Sequence, residues 1–375
     1  MKKIVVFLLF FYFFIGNLRF IYSNNLYCSA TNANVDAESM MTIEANSGRI
    51  LYEKNSTKKL PMASTTKIIT AIVAIENCDD LDKKYLISKN MTGIEGSSIY
   101  LKDGEHLTIR ELLYGLMLRS GNDAAVAIAN IISGSTEKFV ELMNSFCSRH
   151  NFLDTHIVTV NGLHDKQHYT TAKDLAFISS YAIKNSTFRQ IVKTKQMKID
   201  NEKDTKNKCR ILKNKNRLLN MLDGADGIKT GYTSAAGRCF VGSATRGEMQ
   251  VICVVLNSRP MFEESSRLIN KAFEEYSMTK LFGAGKIKNY SGASVSEKFY
   301  IKNDISYPLK KDELQLIKAK ANIFDSASSD GQVGRLDFLI KNDLIFSEKI
   351  YTIEEEKIGK SNDLKNRINR VIHCF

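Results

Sequence analysis

The run LPMASTTKIITAIVAIE, Leu60 to Glu76, constrains this chain more than any other stretch. Lys67 is its only charge between Pro61 and Glu76, amid Ile68, Ile69, Ala71, Ile72, Val73, Ala74 and Ile75. A surface helix keeps its polar residues on one face, whereas a helix apolar on all sides is buried. The fold must therefore wrap other elements around this one, with a lysine inside. Residues i and i+3 share a helix face, with Cβ atoms ~5–6 Å apart, so Ser64 and Lys67 come within reach of each other. Burial lowers an amine's pKa from its usual ~10.4. A lysine left neutral can accept the proton of a neighbouring hydroxyl. On these residues alone a plainer reading stands beside that one: Ser64 caps the helix and Lys67 snorkels out along its stem.

The chain has 375 residues, enough for two or three domains, and its 43% hydrophobic content is that of a globular protein. MKKIVVFLLFFYFFIGN opens with two lysines and an apolar run from Ile4 to Ile15, the layout of a secretory signal over residues 1–23. Ile21-Tyr22-Ser23 and Cys28-Ser29-Ala30 both offer a small final residue, so cleavage could fall as late as residue 30. The protein is expected to be exported and to work at the outer face of the cytoplasmic membrane, in the cell envelope. Removing residues 1–23 takes three cations (Lys2, Lys3, Arg19) and no acid, lowering the formal charge from +12 to +9. An exported cation suits an anionic envelope. Nucleic acid is not expected as a partner, because the lysines are diffuse and no basic-aromatic pattern occurs. Cys28, Cys78, Cys147, Cys209, Cys239, Cys253 and Cys374 show no C-x-x-C or His-paired spacing. No metal and no other cofactor is therefore expected.

Met40 to Asn55 alternates around Asn46-Ser47-Gly48-Arg49 and reads as a hairpin. Thr108-Ile109-Arg110-Glu111 is a capping box opening a helix through Leu118. SGND interrupts it, and helical character resumes from Ala124. Helices are also expected at Glu137–Cys147 and, behind Thr171, at Ala172–Lys184; residues 200–217 read as an exposed loop or hairpin. DGIKTGYTSAAG leads into two β-rich runs, RCFVGSAT and MQVICVVLN, followed by the amphipathic SSRLINKAFEEY. Alternation from about Val295 to Ile353 marks a separate small β domain.

Three short motifs stand in order at element boundaries: Ser64-x-x-Lys67, Ser120-Gly121-Asn122 and Lys229-Thr230-Gly231. Each is weak alone; together they are the signature of active-site-serine penicillin-binding proteins and β-lactamases. From about residue 37 to 350 the chain resembles the serine D-Ala-D-Ala carboxypeptidases, the low-molecular-mass penicillin-binding proteins. The likeness extends to SGRILYEKN, GSSIYLKDGE, LLYGLMLRSGNDAA, GLHDKQHYTTAKDLA, NKNRLLN and GADGIKTGYTSAAG. It implies an α+β fold: an antiparallel sheet with a helical cluster over residues 31–278, and a small all-β domain over 290–353.

The resemblance also implies roles. Ser64 would attack the carbonyl of the penultimate D-Ala of a peptidoglycan stem peptide, and Lys67 would take its proton. Ser120 would relay a proton to the leaving amine, and Asn122 would orient substrate and Lys67. Lys229 and Thr230 would hold the substrate carboxylate, and Gly231 would let the substrate lie close. Backbone N–H groups of Ser64 and Tyr232 would form an oxyanion hole. β-Lactams would acylate the same serine. His164 and His168, in GLHDKQHY, read as local loop structure, and Asp174 as a helix first-turn charge. Many family members carry an arginine after the strands that follow KTG. Here NSRPMFEESSR puts neither Arg259 nor Arg267 at that point, so carboxylate recognition is expected to rest on Lys229 and Thr230.

Three rivals remain: an endopeptidase on cross-links, a β-lactamase, and a non-catalytic envelope-binding protein. A β-lactamase commonly takes its deacylation base from a Glu-x-x-x-Asn loop, and residues 154–175 offer Asp154, Asp165 and Asp174 instead. Finally, SNDLKNRINRVIHCF, residues 361–375, aligns Leu364, Ile368, Val371, Ile372 and Phe375 as an amphipathic helix. At ~1.5 Å per residue it is too short to cross a ~30 Å core. It is expected to lie on an anionic membrane surface or to dock on the β domain.

Overall fold

The computed structural model describes residues 31–32, 35–200, 209–287, 299–324, 326–352 and 370–372. The expected signal segment lies outside the described residues. The catalytic-domain sheet is built from β1 (Thr31–Asn32), β2 (Ser39–Glu44), β3 (Ile50–Lys54), β8 (Ala225–Thr233), β9 (Gly237–Arg246) and β10 (Met249–Leu256). Their order is β1-β3-β2-β10-β9-β8, antiparallel except for β1 with β3. Two small pairs lie apart from it: β4 (Lys84–Leu86) with β5 (His106–Thr108), and β6 (Gln196–Asp200) with β7 (Cys209–Lys213). β2 and β3 form the expected hairpin, and β8, β9 and β10 the expected meander. Strand β8, carrying Lys229-Thr230-Gly231, is at the edge.

Successive side chains of a strand point to opposite faces, and here both faces are covered. One face carries Met41, Ile43, Cys239, Val241, Ile252 and Val254 against the helical cluster. The other carries Met40, Phe240, Ala244, Val251, Cys253 and Val255 against Phe262, Leu268, Ile269 and Ala272 of the C-terminal helix of this domain, Met261–Glu275. The eight helices described are α1 (Lys67–Glu76), α2 (Ile109–Leu118), α3 (Asn122–Ser133), α4 (Thr136–Arg149), α5 (Ala172–Lys184), α6 (Ser186–Lys193), α7 (Leu218–Met221) and α8 (Met261–Glu275).

Helix α1 is the one the sequence makes central. Residues 67 to 74 are all buried, with α2, α3, α4, α5 and α6 packed around it. Ile68, Ile69, Ile72 and Val73 each gain ~1.5–3 kcal/mol from burial. That is enough to carry a lysine inside only if it sheds its proton, since a buried ion costs far more than a hydrogen-bonded neutral amine. Helix α2 opens on the expected capping box: Thr108 Oγ1 accepts from Glu111 N, and Glu111 accepts from Thr108 N. Thr171 caps α5 with one bond, its Oγ1 accepting from Asp174 N.

The small β domain pairs β11 (Ser277–Phe282) with β14 (Ile305–Leu309). A second sheet runs β12 (Gly285–Lys286), β13 (Phe299–Ile301), β17 (Asp343–Thr352), β16 (Gln332–Ile340), β15 (Ile317–Ile323), β18 (Arg370–Ile372). Val333, Leu336, Phe338, Ile345 and Ile350 alternate into its core. By its pairing β11 belongs to this β structure, ahead of residue 290, where the sequence put the domain's start.

The helix expected over 361–375 needs correction where it is described. Arg370–Ile372 is a strand, antiparallel to β15 with Ile372 opposite Ala319. Pairing at a sheet edge there overrides the helical periodicity; residues 353–369 and 373–375 lie outside the described residues.

Arg49, in the β2–β3 turn, joins the two domains. It is buried, bonded to Pro308 O, 2.5 Å from Glu313 Oε1, and its guanidinium lies 4.9 Å and 5.4 Å from the ring centres of Tyr276 and Tyr307.

Candidate active site

The nucleophile candidate sits on a short 3-10 turn, Ala63–Thr66, that runs directly into α1. Ala63 is in the left-handed region at φ 48°, a conformation that costs a non-glycine residue ~1–2 kcal/mol. Side chains inside the turn hold it: Thr65 Oγ1 donates to Met62 O at 2.6 Å, and Thr66 Oγ1 to Ala63 O at 2.7 Å. Ser64 is left half-buried and reachable, while Lys67, on the next turn, is fully buried.

Lys67 Nζ has three neighbours: Ser64 Oγ at 3.0 Å, Asn122 Oδ1 at 2.7 Å and the main-chain carbonyl of Asn161 at 2.6 Å. Two of these can only accept. A neutral amine has two N–H bonds and one lone pair, so Asn122 and Asn161 take both hydrogens and the lone pair faces Ser64. The serine O–H then donates to Lys67, the geometry a general base requires. Burial is the first cause holding the Lys67 pKa well below that of an ordinary lysine, followed by the charges of Lys229 and Lys215; Asp123 opposes them. The snorkelling alternative is thereby excluded.

Asn122 opens α3 after the break in the helical run. Its Nδ2 donates to Glu95 O at 2.6 Å, which fixes the amide so that Oδ1 faces Lys67. Gly96, at φ 90°, makes this possible: a Cβ there would come within 2.6 Å of Asn122 Nδ2. Ser120 forms the break itself, nearly buried at φ 62°. Its hydroxyl makes no hydrogen bond among the described residues, so Ser64, Lys67 and Asn122 are joined directly and Ser120 is not.

Across from them runs β8. Lys229 pairs with Val241, on the face of the sheet that packs the helical cluster. It is buried, donates to Thr230 O at 2.8 Å, and has its pKa pushed down to about 7 by burial first and by Lys215 second. Its charge is in turn, after burial, a cause of the lowered Lys67 pKa. Gly231 has a use the sequence did not reveal. A Cβ there would stand 3.1 Å from both Ser64 N and Thr65 N, so its bareness lets the serine turn approach the strand. Tyr232, one residue on, has an exposed side chain.

Several residues were missed by sequence reasoning. Asn161 contributes a main-chain carbonyl, which leaves no side-chain signature. Asp123 is buried beside Asn122 and accepts from Ile99 N and Leu101 N, both at 3.1 Å, and from Ser98 Oγ at 2.5 Å. It thereby anchors the GSSIYL segment at the rim of the site. Lys215, within NKNRLLN, donates to Ser97 Oγ at 3.1 Å and bears on both buried lysines. Glu264, near the start of α8, has a structural place, accepting from Ser258 Oγ and the N–H groups of Asp36 and Ala37. Arg267 is on α8, across the sheet from Lys229, whereas Arg259 lines a shallow depression with Tyr232 and Arg238. Asp174 accepts from Asp154 N and Thr155 Oγ1, a local role as expected.

A serine bonded to a buried lysine three residues on, where a short turn enters a helix beside the edge strand of a sheet, defines the serine penicillin-binding class. The family model for D-alanyl-D-alanine carboxypeptidases, Peptidase_S11, matches residues 27–260, and the chain belongs to that serine-type carboxypeptidase family. D-alanyl-D-alanine carboxypeptidase DacF of Bacillus subtilis (strain 168) is 32% identical to it, over 80% of this chain and 79% of that protein. DacA of Escherichia coli (strain K12) is 35% identical, over 67% of this chain and 64% of its own. Penicillin binding protein 5 from Haemophilus influenzae matches in structure with a TM-score of 0.74 at 26% identity, covering 87% of this chain and 98% of that one. Penicillin binding protein 6B from Escherichia coli gives 0.68 at 26%, with the same coverage. The α+β catalytic domain followed by a small β domain is the architecture of these structures.

Proposed function

We propose that this protein removes the terminal D-Ala from peptidoglycan stem peptides in the cell envelope, through an acyl-enzyme on Ser64, and that penicillins acylate the same serine. The observation that carries this reading is the Lys67 amine, whose two N–H bonds are taken by carbonyls so that its lone pair meets the Ser64 hydroxyl.

In the reaction, Lys67 accepts the Ser64 proton as Oγ bonds to the carbonyl carbon of the penultimate D-Ala. Backbone N–H groups of Ser64 and Tyr232 receive the oxyanion; each such donor is worth ~10²–10³ in rate. The C–N bond then breaks, and the proton held by Lys67 goes to the departing nitrogen by way of the Ser120 hydroxyl, which joins the relay once substrate is bound. Water, deprotonated by the same amine, hydrolyses the ester. Lys229 and the Thr230 hydroxyl bind the substrate carboxylate, and Lys215 adds positive potential where the family's arginine is missing. Asn122 orients both Lys67 and the substrate. Gly231 keeps strand and nucleophile close enough for one extended peptide to bridge them.

Incubating the purified protein with a fluorescent penicillin, wild type beside Ser64→Ala, tests the nucleophile: stable label on wild type alone supports it. Label on neither sinks the proposal, and rapid loss of label indicates a β-lactamase. Release of D-Ala from a stem pentapeptide tests the natural reaction; cleavage of cross-linked dimers instead indicates an endopeptidase.

A further inference from the structure

His168 is buried, and both of its ring nitrogens are committed. Nδ1 accepts from Val158 N at 3.0 Å and Thr159 N at 3.2 Å. Since those N–H groups can only donate, the ring is the neutral tautomer with its hydrogen on Nε2. Nε2 lies 2.8 Å from Thr66 Oγ1 and therefore donates to it, which leaves the Thr66 hydroxyl hydrogen for Ala63 O.

That imidazole connects two parts of the site. On one side, through Thr66, it reaches Ala63, the left-handed residue immediately before Ser64. On the other, it grips Val158 and Thr159, the start of the segment that presents Asn161 O to Lys67. The two parts also touch directly: a Cβ on Gly162 would lie 2.0 Å from Ala63 O. The serine turn and the carbonyl that aims the base are thus packed together, with one ring bonded to both. Thr70 Oγ1 adds a bond to the same segment, at Val160 O at 2.7 Å, and meets only the last carbonyl of the serine turn, Thr66 O, at 3.4 Å.

We infer that His168 is a positioning residue for acyl transfer. Its Nε2–H fixes the Ala63–Thr66 turn while its Nδ1 fixes the segment bearing the Asn161 carbonyl, so one ring sets the Ser64–Lys67 alignment. It touches neither substrate nor the reacting atoms. The inference rests on the acyl-enzyme reading above and deepens it.

The test measures the acylation rate constant at saturating penicillin and the half-saturation concentration, in wild type, His168→Ala, His168→Asn, Thr66→Val and the His168→Ala/Thr66→Val double variant. All are assayed well below their own Tm. His168→Ala is expected to slow acylation at least ~10-fold while half-saturation moves less than ~3-fold, because the cleft is intact and only alignment is lost. Thr66→Val should cost at least ~3-fold. His168→Asn, which keeps an acceptor for the loop N–H groups but cannot reach Thr66, should fall between wild type and His168→Ala. The double variant should be no more than ~2-fold slower than His168→Ala, since both act through one connection.

Wild-type acylation rates in folded His168→Asn or Thr66→Val overturn the inference, as does a double variant in which the two losses multiply. These two variants decide the matter even where His168→Ala does not fold. A wild-type protein that takes no label sinks the underlying enzymatic reading instead.

Discussion

The main-chain oxygen of Asn161 lies 2.6 Å from Lys67 Nζ, closer than the serine that Lys67 serves. With Asn122 Oδ1 it occupies both N–H bonds of a neutral amine. Lys67→Arg cannot reproduce this, because a guanidinium stays protonated at any working pH. Both Lys67→Ala and Lys67→Arg are expected to lower the penicillin acylation rate by roughly 10³-fold or more, measured by single-turnover labelling. An arginine variant within tenfold of wild type would exclude Lys67 as the base.

The two buried lysines titrate in opposite senses for function. Lys67 must be neutral, and burial favours that form. Lys229 must be charged to hold the substrate carboxylate, and its pKa stands at about 7. In kcat/KM for D-Ala release, activity should therefore fall as pH rises through about 7. A bound carboxylate raises the Lys229 pKa, so kcat should hold to higher pH than kcat/KM. Coincident alkaline limbs in the two profiles would contradict the assignment.

Burial pushes the His168 pKa from its usual ~6.5 down to about 4; Asp165 opposes the shift, while His156, His164 and Lys67 assist it. The folded pKa is the lower one. Between about pH 6.5 and about pH 4 the unfolded chain thus binds a proton that the native one refuses, and stability falls as pH is lowered through that window. The full effect is roughly 3 kcal/mol. Urea midpoints at pH 7 and pH 5 should differ less in His168→Asn than in wild type; an equal difference would remove His168 from the account.

Gly162 is at φ 83°, and a Cβ there would collide with Ala63 O. Gly162→Ala meets backbone that cannot give way, so it should destabilise by roughly 2–4 kcal/mol and depress acylation as well. Gly134, also at φ 80° but with nothing within 4 Å, is the control: Gly134→Ala should cost only backbone strain and leave acylation unchanged.

Removing Arg49 leaves Glu313 facing the domain interface without the cation 2.5 Å away. Breaking a buried pair from one side costs ~3–5 kcal/mol. Arg49→Ala should separate the unfolding of the small β domain from that of the catalytic domain in urea. Penicillin labelling should stay within about twofold of wild type, since Ser64, Lys67 and Asn122 all lie in the catalytic domain. A single unshifted transition would refute the role of Arg49.

Local chemistry was readable in the sequence. The capping box at Thr108 and Glu111, the apolar surroundings of Lys67 and the β8–β10 meander each depend on spacings of a few residues, and each is found in the structure. Contacts made across long stretches of chain were not. The Asn161 carbonyl is main chain and has no residue preference. Lys215 is a lysine among others in NKNRLLN, and only the fold turns it toward two buried amines. Arg49 reads as a turn residue until β14 and Tyr276 are placed around it. Arg370–Ile372 has helical spacing, yet a vacant sheet edge at β15 wins. A second use of Gly231 stayed hidden for a related reason: its neighbour is the protein's own serine turn.

Strand β8 ends its sheet, and an unpaired strand edge ordinarily invites a second protein chain to add to it. Here the Ala63–Thr66 turn leans over that edge at Gly231. Any chain pairing with β8 at that point would have to lie beside this turn. The close approach that seats the nucleophile against the strand thus also takes up room beside an edge that would otherwise be bare.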